Sequence, residues 1–149
     1  MHSFQEYLTV SNPNSFFVKP LLPSDIVEIC SSLNASKPNG PDDISIKVAK
    51  QCIHYYVDPL CDIFNKSLCF GIVPDKLKIA QIIPLHKKNN LENIENYRPI
   101  ALLSVFAKML EKIMHKQLYN FLTKYKCIIP EQFGFRKKSF HSFKYFIFL

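Results

Sequence analysis

The chain has 149 residues, 48% of them hydrophobic and 21% charged, a balance that excludes a disordered tail and fits one domain burying about 70% of its unfolded surface. Nineteen lysines and arginines stand against twelve aspartates and glutamates, for a net charge of +7. Such an excess favours a polyanionic partner, nucleic acid or an acidic membrane surface, over a neutral one, although a basic protein without any such partner is the bland alternative.

In chain order, residues 1–10 lack the basic stretch and apolar run of a signal peptide, and no uncharged apolar stretch of about 18 residues occurs anywhere. The expectation is an intracellular protein, in cytoplasm or nucleus, with no membrane partner. Residues 1–20 sustain no period, and Asn12-Pro13-Asn14 is a turn signal, so an irregular lead-in is predicted there. A helix follows, capped by Ser24 or its neighbour, with Asp25 and Glu28 at its positive end and Ile26, Ile29, Cys30 and Leu33 on one face. Lys37-Pro38-Asn39-Gly40-Pro41-Asp42 is a loop composition, and Asp42 or Asp43 can cap what comes next.

Residues 44–56 and 59–70 read as two helical segments, separated near Asp58-Pro59 because proline disfavours helix at the residue before it. Gly71 suits a helix terminator. The β-branched run 79–86 predicts a strand in which Pro84 permits only an edge or a bulge. Residues 87–96 are polar and turn-like, and 97–103 predict a second strand, completing a hairpin. The clearest helix spans 104–125, where Phe106, Met109, Leu110, Ile113, Leu118, Phe121, Leu122 and Tyr125 keep the 3.6 period and lysines fill the opposite face. Residues 127–134 form a connection. The fold class predicted is α+β, mostly helical, with a small antiparallel hairpin.

The five cysteines, Cys30, Cys52, Cys61, Cys69 and Cys127, contain no CxxC pair and lie mostly among aliphatic residues. They read as small buried hydrophobes in a reducing compartment. His86, at a strand end with no cysteine or histidine at ligand spacing, reads as structural.

Three blocks, in this order and spacing, resemble the start of the reverse-transcriptase domain of non-LTR, LINE-like (jockey-type) retrotransposons. The first is Lys37-Pro38-Asn39-Gly40-Pro41-Asp42-Asp43-Ile44, similar to the family's K-x-x-G-P-D-G-I loop, with Phe64-Asn65-Lys66-Ser67-Leu68 and Gly71-Ile72-Val73-Pro74 behind it. The second is Ile82-Ile83-Pro84-Leu85-His86-Lys87-Lys88, leading to Asn96-Tyr97-Arg98-Pro99-Ile100-Ala101-Leu102-Leu103-Ser104. The third is Gln132-Phe133-Gly134-Phe135-Arg136.

This resemblance implies the fingers subdomain and the start of the palm of a right-hand polymerase. It implies an amino-terminal fragment of an RNA-directed DNA polymerase, divided into a lead-in 1–20, a partial reverse-transcriptase domain 21–138 and a divergent apolar tail 139–149. It also implies an RNA template and DNA primer as partners. Lys87 and Arg98 become nucleotide-binding candidates, because a fingers hairpin sets cations beside a triphosphate and a guanidinium grips phosphate oxygens through two parallel bonds. Against this stand a solvated turn for Lys87-Lys88 and a carboxylate partner, Glu95 or Glu111, for Arg98. Arg136, Lys137 and Lys138 resemble a nucleic-acid-contacting segment; the bland alternative is a basic surface patch.

Polymerases of this class hold two metal ions about 4 Å apart with carboxylates from two motifs. Both motifs are expected after Arg136, and residues 137–149 contain no aspartate or glutamate. Mg2+ is therefore expected in the full family enzyme and not on this fragment, which is expected to have no catalytic residues, no metal site and no polymerase activity alone. Asp42-Asp43 imitates a catalytic pair but opens a helix. The tail, nearly all aromatic and apolar, departs from the family, and apolar surface left uncovered by a missing palm is expected to drive self-association. The competing function is a small helical protein-interaction module with no nucleic-acid role.

Overall fold

The computed structural model describes residues 13–128, and the tail 139–149 and the block around Arg136 lie outside them. The chain divides into two compact units, Phe17–Gln117 and Met1–Phe16 with Leu118–Leu149.

In the first unit, helix α1 (Pro23–Ser31) starts with proline at its first position, where a missing N–H costs nothing, and the Asp25 carboxylate accepts from the Leu22 N–H at 2.9 Å. Leu22, not Ser24, is the capping position. The other end of α1 holds no basic residue of its own. Lys50 donates instead to the Ser31 carbonyl at 2.7 Å and Lys112 to the Ser32 carbonyl at 3.1 Å, so two ammonium groups from other elements meet the negative end of its dipole.

Helix α2 (Ile46–Phe70) runs unbroken through Pro59, where the sequence predicts two segments. Ile46, Ala49 and Ile53 before the proline and Leu60, Cys61 and Phe64 after it are all buried on one face. Tyr55, whose carbonyl loses its bond, is 88% exposed and open to water. Packing along that stripe outweighs a local cost of about 3 kcal/mol. Ser45, rather than Asp42 or Asp43, caps the helix by accepting from the Val48 N–H, and Gly71 ends it at φ 68°.

A single helical turn, α3 (Asp75–Lys78), precedes strands β1 (Ala80–His86) and β2 (Tyr97–Leu103), which pair antiparallel from Ala80↔Leu103 to His86↔Tyr97. Ser104 caps the long helix α4 (Val105–Lys124) through its hydroxyl to the Ala107 N–H. The core gathers Ile26, Ile29 and Cys30 from α1, Ile53, Leu60 and Phe64 from α2, and Val105, Met109, Leu110 and Ile113 from α4. The structure is thus mostly helical with one antiparallel hairpin. Of the cysteines, Cys30 and Cys61 are buried as expected, whereas Cys69 and Cys127 are exposed.

The extended stretch before α1 is held by side-chain amides that imitate a neighbouring strand. Asn65 accepts from the Leu21 N–H at 2.7 Å and donates to the Leu21 carbonyl at 3.0 Å. Gln117 does the same at Lys19, at 2.8 and 3.0 Å.

In the second unit, Phe121 packs edge-on to Phe16 at 5.4 Å and against Tyr125 at 4.9 Å. Helix α4 ends with Lys126 at φ 53° and with bonds from Lys126 to Thr123 and from Cys127 to Leu122, a Schellman motif built without its usual glycine.

Candidate nucleic-acid interface on the hairpin

Side chains alternate between the faces of a strand, so the register decides which residues meet. Arg98 pairs with Leu85, and the bond from the Lys87 N–H to the Asn96 carbonyl extends the ladder one step past His86. Lys87 lies two residues beyond Leu85 and hence on the same face as Arg98, its diagonal neighbour at about 7–8 Å. Ile83 and Ile100 pair with one another on the Lys87–Arg98 face, and both are exposed, as is Leu85 at 53%.

Neither cation is engaged elsewhere among the described residues: no ion pair or side-chain hydrogen bond joins Arg98 to Glu95 or Glu111, or Lys87 to any carboxylate. The lysines of α4 behave differently. Lys108, Lys112 and Lys116, one turn apart, reach the Pro38 carbonyl at 3.1 Å, the Ser32 hydroxyl at 2.8 Å and the Glu28 carboxylate at 2.8 Å. These exposed bonds tie α4 to the α1 region and to the loop after it from the lysine face that the sequence predicts.

The tip between the strands holds its own shape. Asn90 and Asn93 side chains accept from the N–H groups of Glu92 and Glu95, and Asn96 donates to the Asn90 carbonyl at 2.7 Å. The Tyr97 hydroxyl donates to the Leu91 carbonyl at 2.9 Å. His86 shares a hydrogen bond with the Asn89 carbonyl and packs edge-on to Tyr97 at 5.3 Å. The sequence signal for this order is four asparagines in residues 87–96, since asparagine replaces backbone partners in tight turns. These bonds order the backbone of the tip between Lys87 and Arg98.

Asp42 and Asp43 are absorbed by the loop. Asp42 accepts from the Ile44 N–H, and Asp43, at φ 54°, accepts from the Asn39 amide at 2.9 Å. That left-handed conformation is where the family pattern carries glycine. Among the described residues no group of three His, Cys, Asp or Glu is arranged to hold a metal ion. Arg136, Lys137 and Lys138 lie outside the described residues. No described helix is long and apolar enough to cross a membrane.

No family model matches the chain. It is 32% identical over 121 residues to the probable RNA-directed DNA polymerase from transposon BS of Drosophila melanogaster, an alignment covering 80% of this chain and 13% of that protein. Identity to the RNA-directed DNA polymerase from mobile element jockey of the same fly is 27% over 133 residues, covering 89% of this chain and 14% of the relative. A putative 115 kDa protein in its type-1 retrotransposable element R1DM is 29% identical over 127 residues, covering 80% and 12%. The chain spans about an eighth of the length of these relatives.

Proposed function

We propose that the chain, by its similarity to polymerases of non-LTR retrotransposons, is a piece of a reverse transcriptase of that family that grips nucleic-acid or nucleotide phosphate through one face of its hairpin. Residues 21–138 correspond to the fingers and early palm, with 1–20 as lead-in and 139–149 as a divergent tail. Lys87 and Arg98 hold phosphate oxygens, and Arg136, Lys137 and Lys138 contact the template or primer backbone. RNA template and DNA primer are the partners. Mg2+ belongs to carboxylates elsewhere in the full enzyme, and this piece alone does not join nucleotides.

The observation that carries the reading is the pair of uncommitted cations, Lys87 and Arg98, on one face of a hairpin whose tip is already ordered. Neighbouring cations are expected to displace counterions from a polyanion, so binding should weaken steeply with salt. Fluorescence anisotropy of a labelled single-stranded RNA tests it: affinity falls as salt rises, and Arg98→Ala and Lys87→Ala each shallow the salt dependence by about one charge. Salt-independent or absent binding argues against it.

A second reading, a protein-interaction module without a nucleic-acid role, is favoured by an apolar cleft of about 620 Å³ lined by Leu68, Val73, Leu77, Leu103, Leu110 and Met114. It predicts that a bound partner is indifferent to Lys87 and Arg98.

A further inference from the structure

Both hairpin strands are exposed along their middles and partly buried only at their ends, Ala80, Leu102 and Leu103 at the root and His86 and Tyr97 at the self-packed tip. Among the described residues nothing buries the middle of either strand, which leaves the root to fix the direction in which the hairpin leaves the helices. At the root the loop 37–43 presses on the junction between β2 and α4. Gly40 is buried there, and a Cβ added to it would collide with the Leu103 carbonyl oxygen and stand 2.5 Å from the Leu103 carbonyl carbon and 2.6 Å from the Ser104 Cα. All three are backbone atoms, which cannot swing aside as a flexible side chain does.

The loop is itself tied down. Asp43 N–H donates to the Gly40 carbonyl at 3.1 Å, Asn39 donates to the Asp43 carboxylate, and Lys108 from the first turn of α4 holds the Pro38 carbonyl. Ser104 cannot yield freely either, because its hydroxyl caps α4.

We propose that Gly40 is a positioning residue for the Lys87–Arg98 face: backbone contact between this glycine and the β2–α4 junction sets the angle of the hairpin and so the location of the two cations. The assignment of a phosphate-binding role to that face is the reading it rests on; the orienting role of Gly40 does not depend on it. Arg98 lies five residues from Leu103, about 17 Å along the strand. A tilt of about 10° at the root therefore moves Arg98 by about 3 Å, enough to separate a guanidinium from a phosphate that accepts at 2.7–2.9 Å.

Residual dipolar couplings of the 15N-labelled 149-residue chain, paired with anisotropy of a labelled single-stranded RNA, test this. In Gly40→Ala, couplings from α1 and α2 still fit the wild-type frame while those of β1 and β2 fit only after rotation, and RNA affinity falls about five- to tenfold, the loss of two phosphate contacts. Lys108→Met releases the loop without adding a clash and serves if Gly40→Ala does not fold; its hairpin couplings shrink and affinity falls about twofold. Hairpin couplings that still fit the wild-type frame in the folded variant overturn the proposal; a rotated hairpin with undiminished affinity supports the orienting role of Gly40 and overturns the phosphate reading of Lys87 and Arg98. If wild type binds no RNA while the variant hairpin rotates, the phosphate reading of Lys87 and Arg98 fails and the orienting role of Gly40 stands.

Discussion

Pro84 and Pro99 stand directly opposite one another across the hairpin. Parity from the Lys87–Asn96 bond puts them at a non-hydrogen-bonded pair, where each residue's nitrogen points away from the partner strand. Neither proline costs the ladder a bond, and each removes a donor from the middle of one free edge. Each edge thereby carries a proline at its middle that opposes strand addition. Restoring the donors in Pro84→Thr with Pro99→Thr is expected to give concentration-dependent association in sedimentation velocity beyond any shown by the parent chain. Equal association in the two proteins would show that the prolines do not guard the edges.

The paired bonds of Asn65 and Gln117 differ in setting, the first partly buried and the second exposed. Truncating Asn65 strands the Leu21 N–H, while the Leu21 carbonyl keeps the Cys61 thiol as a donor, whereas water replaces Gln117. Asn65→Ala is expected to lower unfolding free energy by about 2 kcal/mol and Gln117→Ala by less than about 1 kcal/mol, read from urea denaturation. Equal losses would remove the distinction.

Pro59 sits inside α2 at a local cost that the buried stripe outweighs. Pro59→Ala restores the missing N–H to the Tyr55 carbonyl and should raise stability by about 1–3 kcal/mol, less the entropy returned to the unfolded chain. A urea midpoint that stays put or drops would mean that the helix is already adapted to the proline.

That proline also marks where the sequence stops being legible. The 3.6 period identifies α4, and Met109, Leu110 and Ile113 are buried as their spacing requires, although Leu118 on the same stripe is exposed; the strands are legible from their short β-branched composition, not from a buried face. Local rules put a break at Asp58-Pro59 because they cannot weigh a core contributed by α1 and α4. The ties of Asn65, Gln117 and the α4 lysines join residues 44 to 98 positions apart, which no local pattern encodes. Lys87 and Arg98 were findable as residues, but their common face follows only from the register. Gly40 was visible as a loop glycine, and its contact with Leu103 was not.

Burial pushes the Tyr56 phenol well above its ordinary value, with the neighbouring Cys30 thiol adding to the effect, and burial also raises Cys30 and Cys61. For groups raised in the folded state, the unfolded chain loses its protons first as pH increases. Their contribution is complete below the ordinary values of 9.0 and 10.0 and is lost as pH rises past them toward the folded values. Stability should therefore decline above about pH 9 and more steeply above about pH 10, with Tyr56→Phe flattening the second part. An unchanged profile in Tyr56→Phe would remove this tyrosine from the alkaline response.

Whether Lys87 and Arg98 act together as one phosphate grip is decided by a double-mutant cycle. Affinity for a deoxynucleoside triphosphate is measured by titration calorimetry in the parent, Lys87→Ala, Arg98→Ala and the double variant. The account predicts that each single change weakens binding and that the double change costs less than the sum by at least about 0.5 kcal/mol, because neighbouring cations share one anion. Strictly additive losses, or triphosphate binding untouched by either substitution, would contradict it.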